Sequence, residues 1–348
     1  MGRFIGVDLH KSSFTVCYME ESGEHSIKTY RVSKKDIEVF KKTLDRGAEV
    51  GVESTGNTHY FVGEIEKGVK AVRVINPTQF KVISSSVKNT DNNAAITIAK
   101  YLSKGLIPEV RMKSKEEMQL GSLINTRDKL VKLRTVLKNK VHNILNAHGI
   151  VTEREIMSSR KGLEDILKTR DIDKASEFEL NIIVEQIKSL NSSIEKIDAE
   201  IAERGQKLKG YDNLKSIKGI GSLSATILLN TIGNIKDFDN EKKLAAYLGI
   251  VPRVHQSNEM SQYGRITKMG NKIARTALVQ STLIAIRYNS YLRKFYDTLK
   301  AKKGSGKAIV ATSRKLLTIV YRTLKNDWIF EDFTTFKHVK LSDMCLTV

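Results

Sequence analysis

Three acids stand where an acid is costly. Asp8 lies inside the apolar run "RFIGVDLH" (3–10), Glu53 falls near the end of "AEVGVES" (48–54), and Asp91 opens a helical stretch at "TDNNAA" (90–95). A carboxylate within a buried strand needs a partner, hydrogen bonds or a cation. Two adjacent strands can bring such acids within reach of one ion. Oxygen-rich sites of this kind suit Mg²⁺, with Mn²⁺ as the alternative. Two such ions about 3.5–4 Å apart serve phosphodiester chemistry by stabilising the attacking and leaving oxygens. Taken singly, each acid also has a structural reading: Asp8 as a strand end, Asp91 as a helix cap.

A second chemical group follows in "GIVPRVHQSNEMSQYGRITKMGNKIAR" (249–275). Ser257 is expected in a polar loop, with Arg265, Lys268, Lys272 and Arg275 after it. These cations can hold a phosphate while an activated serine oxygen attacks it. The plainer reading is a loop serine beside side chains that only touch backbone phosphates. A third feature is the turn at Lys218, Gly219 and Gly221 in "LKSIKGIGSLSATILLNTIG" (214–233). It resembles a helix-hairpin-helix, whose backbone N–H groups can hold a phosphate. A plain turn fits it equally well. "GSGK" (304–307) lacks the earlier glycine of a phosphate loop and is rejected.

The elements that must position these groups follow from periodicity. Strands are predicted over 3–10, 14–20, 25–32, 48–54 and 70–77, and helices over 33–44, 58–68 and 91–104. That order implies an α/β domain with a mixed sheet. Beyond Pro108 the pattern is helical. One long amphipathic segment spans 115–148, with Leu130, Leu133, Leu137, Val141 and Ile144 as its stripe. A second, over 178–208, places Leu180, Ile183, Ile187, Leu190, Ile194, Ile197 and Ile201 on a coiled-coil seam. The repeat fits a hairpin packing on its own chain or a contact between copies. From Tyr211 onward, helices are predicted over 240–248, 270–300 and 307–325, with a loop at 249–264. The division is 1–108, 109–210 and 211–348.

The 348 residues carry 59 Lys and Arg against 39 Asp and Glu, a net +20, which favours a polyanionic partner, most simply nucleic acid. Cys17 and Cys345 fit neither metal-ligand spacing nor a disulfide framework, so a reducing cytoplasm is expected. No secretory signal pattern and no membrane span are predicted.

The pieces "IGVDLHK" (5–11), "VESTGN" (52–57), "NTDNNAA" (89–95), "SIKGIGSLSA" (216–225), "LAAYLGIVP" (244–252), "QSNE" (256–259) and "GRITKMGNK" (264–272) occur in one order along most of the chain. Together they resemble the DEDD-type transposases of the insertion-sequence one-ten family. That family includes serine recombinases guided by a bridge RNA and is related to Piv-type DNA invertases. The resemblance implies a RuvC-like, ribonuclease-H-type α/β N-terminal domain, a helical coiled-coil middle and a mainly α C-terminal transposase domain. Asp8, Glu53 and Asp91 then match three of four metal-binding acids, and Ser257 the nucleophile. Asn258 stands where glycine is usual. Donor and target DNA, a bridge RNA, a dimer or tetramer of this chain and a bacterial or archaeal nucleoid are the implied setting.

The fourth acid is missing. The family's motif is TD, two residues, then DA; here Thr90 and Asp91 match, Ala95 matches, and Ala94 takes the acid's place. Residues three apart share a helix face, so the intended pair would reach one ion together. Either a deliberate truncation or a decayed natural copy accounts for Ala94. Both imply weakened metal binding and impaired cleavage with folding preserved. Three other readings stay open: a protein-only recombinase or invertase, a ribonuclease-H-like nuclease or junction resolvase that uses water, and a binding scaffold without activity.

Overall fold

A computed structural model describes residues 3–77, 79–80, 90–153, 155–168, 172–257 and 260–331, with backbone alone at 255–257 and 260–263. Asn258 and Cys345 lie outside the described residues. The chain divides between Lys113 and Ser114 into two compact units.

The first unit holds β1 (Arg3–Leu9), β2 (Ser13–Glu20), β3 (His25–Arg31), α1 (Lys34–Lys41), β4 (Glu49–Glu53), α2 (Thr58–Ile65), β5 (Ala71–Ile75) and α3 (Asp91–Ser103). The strands form one mixed sheet in the order β3-β2-β1-β4-β5, with β2 antiparallel to β1 and β3, and β4 parallel to β1 and β5. Alternation along the strands sorts the side chains between its faces. Ile5, Val7, Leu9, Phe14, Val16 and Tyr18 enter a core with Ile37 and Phe40 of α1 and Phe61 and Val62 of α2. The opposite face carries Cys17 and Met19, which pack with Ala95 and Ala99 of α3.

Gly6 sets how closely α3 sits on that second face. A Cβ there would lie 2.1 Å from the Ala95 carbonyl oxygen and 2.5 Å from the Ala99 nitrogen. Both are backbone atoms, so neither can swing aside. Gly6→Ala is therefore expected to lift α3 off the sheet and cost about 3 kcal/mol, the upper part of the usual overpacking range. The midpoint of denaturant unfolding measures it; an unchanged midpoint would mean that α3 shifts freely.

The second unit begins with α4 (Lys115–Ala147), α5 (Arg160–Ile166) and α6 (Lys174–Gln206). A capping box starts α4, Ser114 accepting from the Glu117 N–H while Glu117 accepts from the Ser114 N–H. Asp173 caps α6. The contacts Gln119–Arg204, Arg127–Asp198, Arg134–Asn191 and Lys140–Glu179 run in opposite directions along the two helices, so they form an antiparallel hairpin. Of the two predicted readings of the seam, self-packing is present. Its apolar contacts fall into two clusters. Val141, Ile144 and Leu145 pack with Leu163, Leu180, Val184 and Ile187 at one end. Leu120, Ile124 and Ile201 join the C-terminal core at the other. Leu133, expected in the stripe, is 55% exposed. It falls in the polar stretch between the clusters, where Arg134 bonds to Asn191 instead.

The remaining elements are α7 (Tyr211–Lys215), α8 (Ser222–Ile232), α9 (Glu241–Tyr247), β6 (Pro252–Ser257), β7 (Met260–Ile266), α10 (Lys272–Tyr288), α11 (Ser290–Lys303) and α12 (Ser305–Lys325). Leu228, Leu244, Leu278 and Leu316 centre their shared core. The segment expected as one helix over 270–300 breaks at Asn289, whose side chain accepts from the Leu292 N–H and restarts the chain as α11. Among the described residues, no helix is long and apolar enough to cross a membrane.

Candidate metal centre and serine hairpin

Asp8 and Glu53 stand at the carboxyl ends of the neighbouring interior strands β1 and β4, and Asp91 opens the helix packed on the same face. Asp8 is the sixth residue of β1, on the face that receives α3, and only 6% exposed. The parallel register pairs Val7 with Val52, so the next step along both strands places Asp8 beside Glu53. Glu53 leads into a turn held by its own threonines. Thr58 Oγ1 donates to the Glu53 carbonyl oxygen at 2.8 Å and accepts from the Thr55 N–H at 2.8 Å. Asn57 Nδ2 then donates to the His10 carbonyl oxygen at 2.9 Å, tying the end of β1 to this turn. Thr90 caps α3 by accepting from the Asn93 N–H, which sets Asp91 in the first turn. A carboxylate there is favoured by the helix dipole.

The acid pattern alone does not single out His10, although "DLH" places it two residues after Asp8, where strand alternation repeats a face. Its Nε2 lies 3.2 Å from Asp8 Oδ2 and 3.4 Å from Asp91 Oδ1. Ligand atoms of Asp8, His10 and Asp91 all lie within 4.8 Å of one another. The imidazole nitrogen thus stands between the two carboxylates. Ala94 follows Asp91 by one turn on the same helix and is half-buried. Its methyl group cannot supply a ligand.

Burial pushes the Asp8 carboxyl above its ordinary range; His10 pulls it back, and Asp91 adds repulsion. Glu53 is also raised, first by burial, then by the charge of Asp8, with His10 opposing. A cation would relieve both costs, so two strand-borne carboxylates, Asp91 and an imidazole fit a divalent ion. Carboxylates suit Mg²⁺ and Mn²⁺ alike, whereas an imidazole is a softer donor than Mg²⁺ usually takes.

A raised carboxyl pKa means that the folded chain holds the proton more tightly than the unfolded chain. Stability is then lost as pH rises from the unfolded value through the folded one. Asp8→Asn removes that charge. Without divalent ions at neutral pH it is expected to raise Tm by roughly a few °C. Added Mn²⁺ should raise Tm of the parent chain and not of the variant. An equal rise in both would remove Asp8 from the ligand set.

The serine stands in a different local setting from the one expected. Ser257 is the last residue of β6, not part of a loop, and its register partner is Met260 of β7. The polarity of "PRVHQS" and "MSQYGRI" suggests a loop, but a two-stranded hairpin needs no buried face to pair its backbones. Arg265 and Lys268 are exposed, and Lys272 is the exposed first residue of α10. Arg275, expected to bind nucleic acid, is turned to another use. Its Nη1 donates to the carbonyl oxygens of Leu248, Met269 and Gly270 at 3.0–3.1 Å, a clamp on the loop that enters α10. At the glycine turn, Gly219 has φ +109°, and a Cβ there would meet the Ala285 backbone at 2.6 Å. Close packing on α10 accounts for that glycine. Gly221 starts α8 without a side-chain cap, beside the exposed Lys218.

Residues 5–150 match a family model described as Transposase, whose name carries the DEDD motif and IS110. Residues 211–297 match one described as Transposase IS116/IS110/IS902 family. The chain is similar to the transposase for insertion sequence element IS1111A of Coxiella burnetii, with 27% identity across 92% of this chain and 89% of that one. It is similar to a probable family 20 transposase of Pseudomonas aeruginosa, 26% identical across 81% and 84%. The pilin gene-inverting protein of Moraxella bovis is 25% identical across 94% and 97%. These matches describe transposases and a gene-inverting protein, a coarser description than the serine transposase or recombinase that the motifs imply. The chain belongs to the IS110 family of transposases.

Proposed function

We propose that the chain is a site-specific DNA recombinase whose two chemical groups are the acid centre of a RuvC-like first unit and Ser257 of the second. The observation that carries this reading is the meeting of Asp8, His10 and Asp91 at the carboxyl end of β1, with Glu53 on the neighbouring strand. When bound there, a divalent ion supplies charge stabilisation to a phosphate. Asp8, Glu53 and Asp91 would hold it. Ser257 Oγ loses its proton and bonds to phosphorus, while a bridging P–O bond breaks and the leaving strand departs as a hydroxyl. A hydroxyl of the exchanged strand then attacks the phosphoserine, the serine leaves, and the backbone is resealed. Arg265, Lys268 and Lys272 hold the flanking phosphates. Lys218 and the turn at Gly219 and Gly221 offer a further phosphate contact at the start of α8. In this reading the chain works on the nucleic acid as a dimer or tetramer.

In this reading a bridge RNA selects donor and target DNA, and the net charge of +20 suits both polymers. The Moraxella relatives, named pilin gene-inverting proteins, favour a second reading, DNA inversion, which a protein-only invertase would carry out. A single defined RNA that co-purifies with the chain separates the two. With Ala94 in the fourth acid's place, the chain binds DNA and cuts it poorly. The test is covalent attachment of DNA at Ser257, in the presence of Mg²⁺, element ends, target and flanking RNA.

A further inference from the structure

The polar stretch of the α4–α6 hairpin borders an open cavity of about 590 Å³. Arg134 and Lys138 of α4, Lys188 of α6 and Arg160 of α5 line it, with Asn191 and Glu195 of α6. Four cations thus face one carboxylate. Arg134 donates through Nη1 to the neutral Asn191 side chain at 2.8 Å. Arg160 leans on Glu164, which belongs to its own helix. Among the described residues, Lys138 and Lys188 have no ion-pair partner. Burial and the neighbouring Arg134 both work against the charge on Lys138. Like charges gathered at a concavity, one of them desolvated, cost stability unless an anion joins them. Ser158 and Ser192 add hydroxyls at the rim.

We propose that this cavity seats a backbone phosphate of nucleic acid, a contact built from residues outside both the acid centre and the serine hairpin. Side chains of this kind read phosphate position and carry no sequence information. Arg134 and Asn191 form the fixed wall, and Lys138 and Lys188 close on the anion from the two helices. The proposal rests on the recombinase reading only for the identity of the polyanion. DNA and RNA present the same phosphodiester, so the experiment carries an arm for each.

The full chain is compared with Lys138→Gln/Lys188→Gln and with the control Lys132→Gln/Lys207→Gln. The control removes the same charge from lysines paired with Asp128 and Glu203. Fluorescence anisotropy follows a labelled DNA duplex and a labelled RNA hairpin across a salt series. The cavity variant should lose about tenfold in affinity near physiological salt on the polymer that sits there. Its plot of log affinity against log salt should flatten by about 1 or more, since each phosphate contact contributes about 0.9 on duplex DNA. The control should keep the parent slope, and Lys138→Arg should keep parent binding. Without nucleic acid, Lys138→Gln should melt no lower than the parent, because it removes a repulsion. Equal slopes for cavity and control variants on both polymers would overturn the proposal and leave the recombinase reading intact. A parent chain that binds neither polymer would overturn both.

Discussion

Ala94→Asp is expected to raise DNA cleavage by the chain about 10²-fold or more, the scale on which a single electrostatic stabiliser acts at a reacting phosphate. The position is prepared for an acid. It lies in the first turn of α3, where the dipole favours a carboxylate, and one turn from Asp91, whose Oδ1 already lies 3.4 Å from His10 Nε2. Ala94 is half-buried, so the introduced carboxylate would project from a helix that Gly6, Ala95 and Ala99 hold against the sheet. Without divalent ions the added carboxylate should lower Tm, because it joins the repulsion among Asp8, Glu53 and Asp91. Titration with Mn²⁺, followed by Tm, should show tighter binding by the Ala94→Asp variant. Cleavage of a labelled element end should appear with it. Tighter binding without cleavage would assign the new carboxylate to the ion and not to the reaction. Neither effect would mean that the TD-x-x-DA register has been misplaced on this chain.

In the Ala94→Asp background, Ser257→Ala is expected to abolish the covalent protein–DNA product and reduce recombination at least about 10³-fold, as loss of a nucleophile does elsewhere. Denaturing gels resolve the adduct, and peptide mapping locates it. Recombination that persists without Ser257 would transfer the chemistry to water and favour the nuclease reading. The backbone of Ser257 pairs with Met260 at the end of a two-stranded hairpin, and alanine removes one oxygen while keeping the β carbon. Binding of DNA should be retained, which separates lost chemistry from lost folding.

The first unit was legible because its strands are short, apolar and alternating. Asp8 was conspicuous as the charge within such a run. Glu53 marked a strand end, and Thr90 and Asp91 marked a helix start. His10 is as close in sequence as its role requires, but a histidine after a strand has no period of its own to announce it. The second unit was read less well where polarity and structure part company. "PRVHQS" pairs as a strand although nothing in it demands a core, and Arg275 turns inward to three carbonyl oxygens although its neighbours are exposed cations. Backbone acceptors leave no mark in a sequence. Leu133 failed for a related reason: the heptad continues through it, but the partner helix offers Asn191 and Lys188 at that level.

The two separate clusters of the α4–α6 hairpin make it a jointed arm. Each helix has 33 residues, about 50 Å at helical rise. The far cluster around Leu145, Leu163 and Val184 is a small core in its own right, and the near one belongs to the body of the unit. Between them the arm is held by the buried Ile194 and by hydrogen bonds and ion pairs such as Arg134–Asn191 and Arg127–Asp198. Such a division lets the tip melt and reform as its own cooperative unit while the base stays folded. Amide exchange should then release the tip of the arm as one block, well before the base. A transposase acting on DNA gains a limb that yields at the wrist and stays fixed at the shoulder.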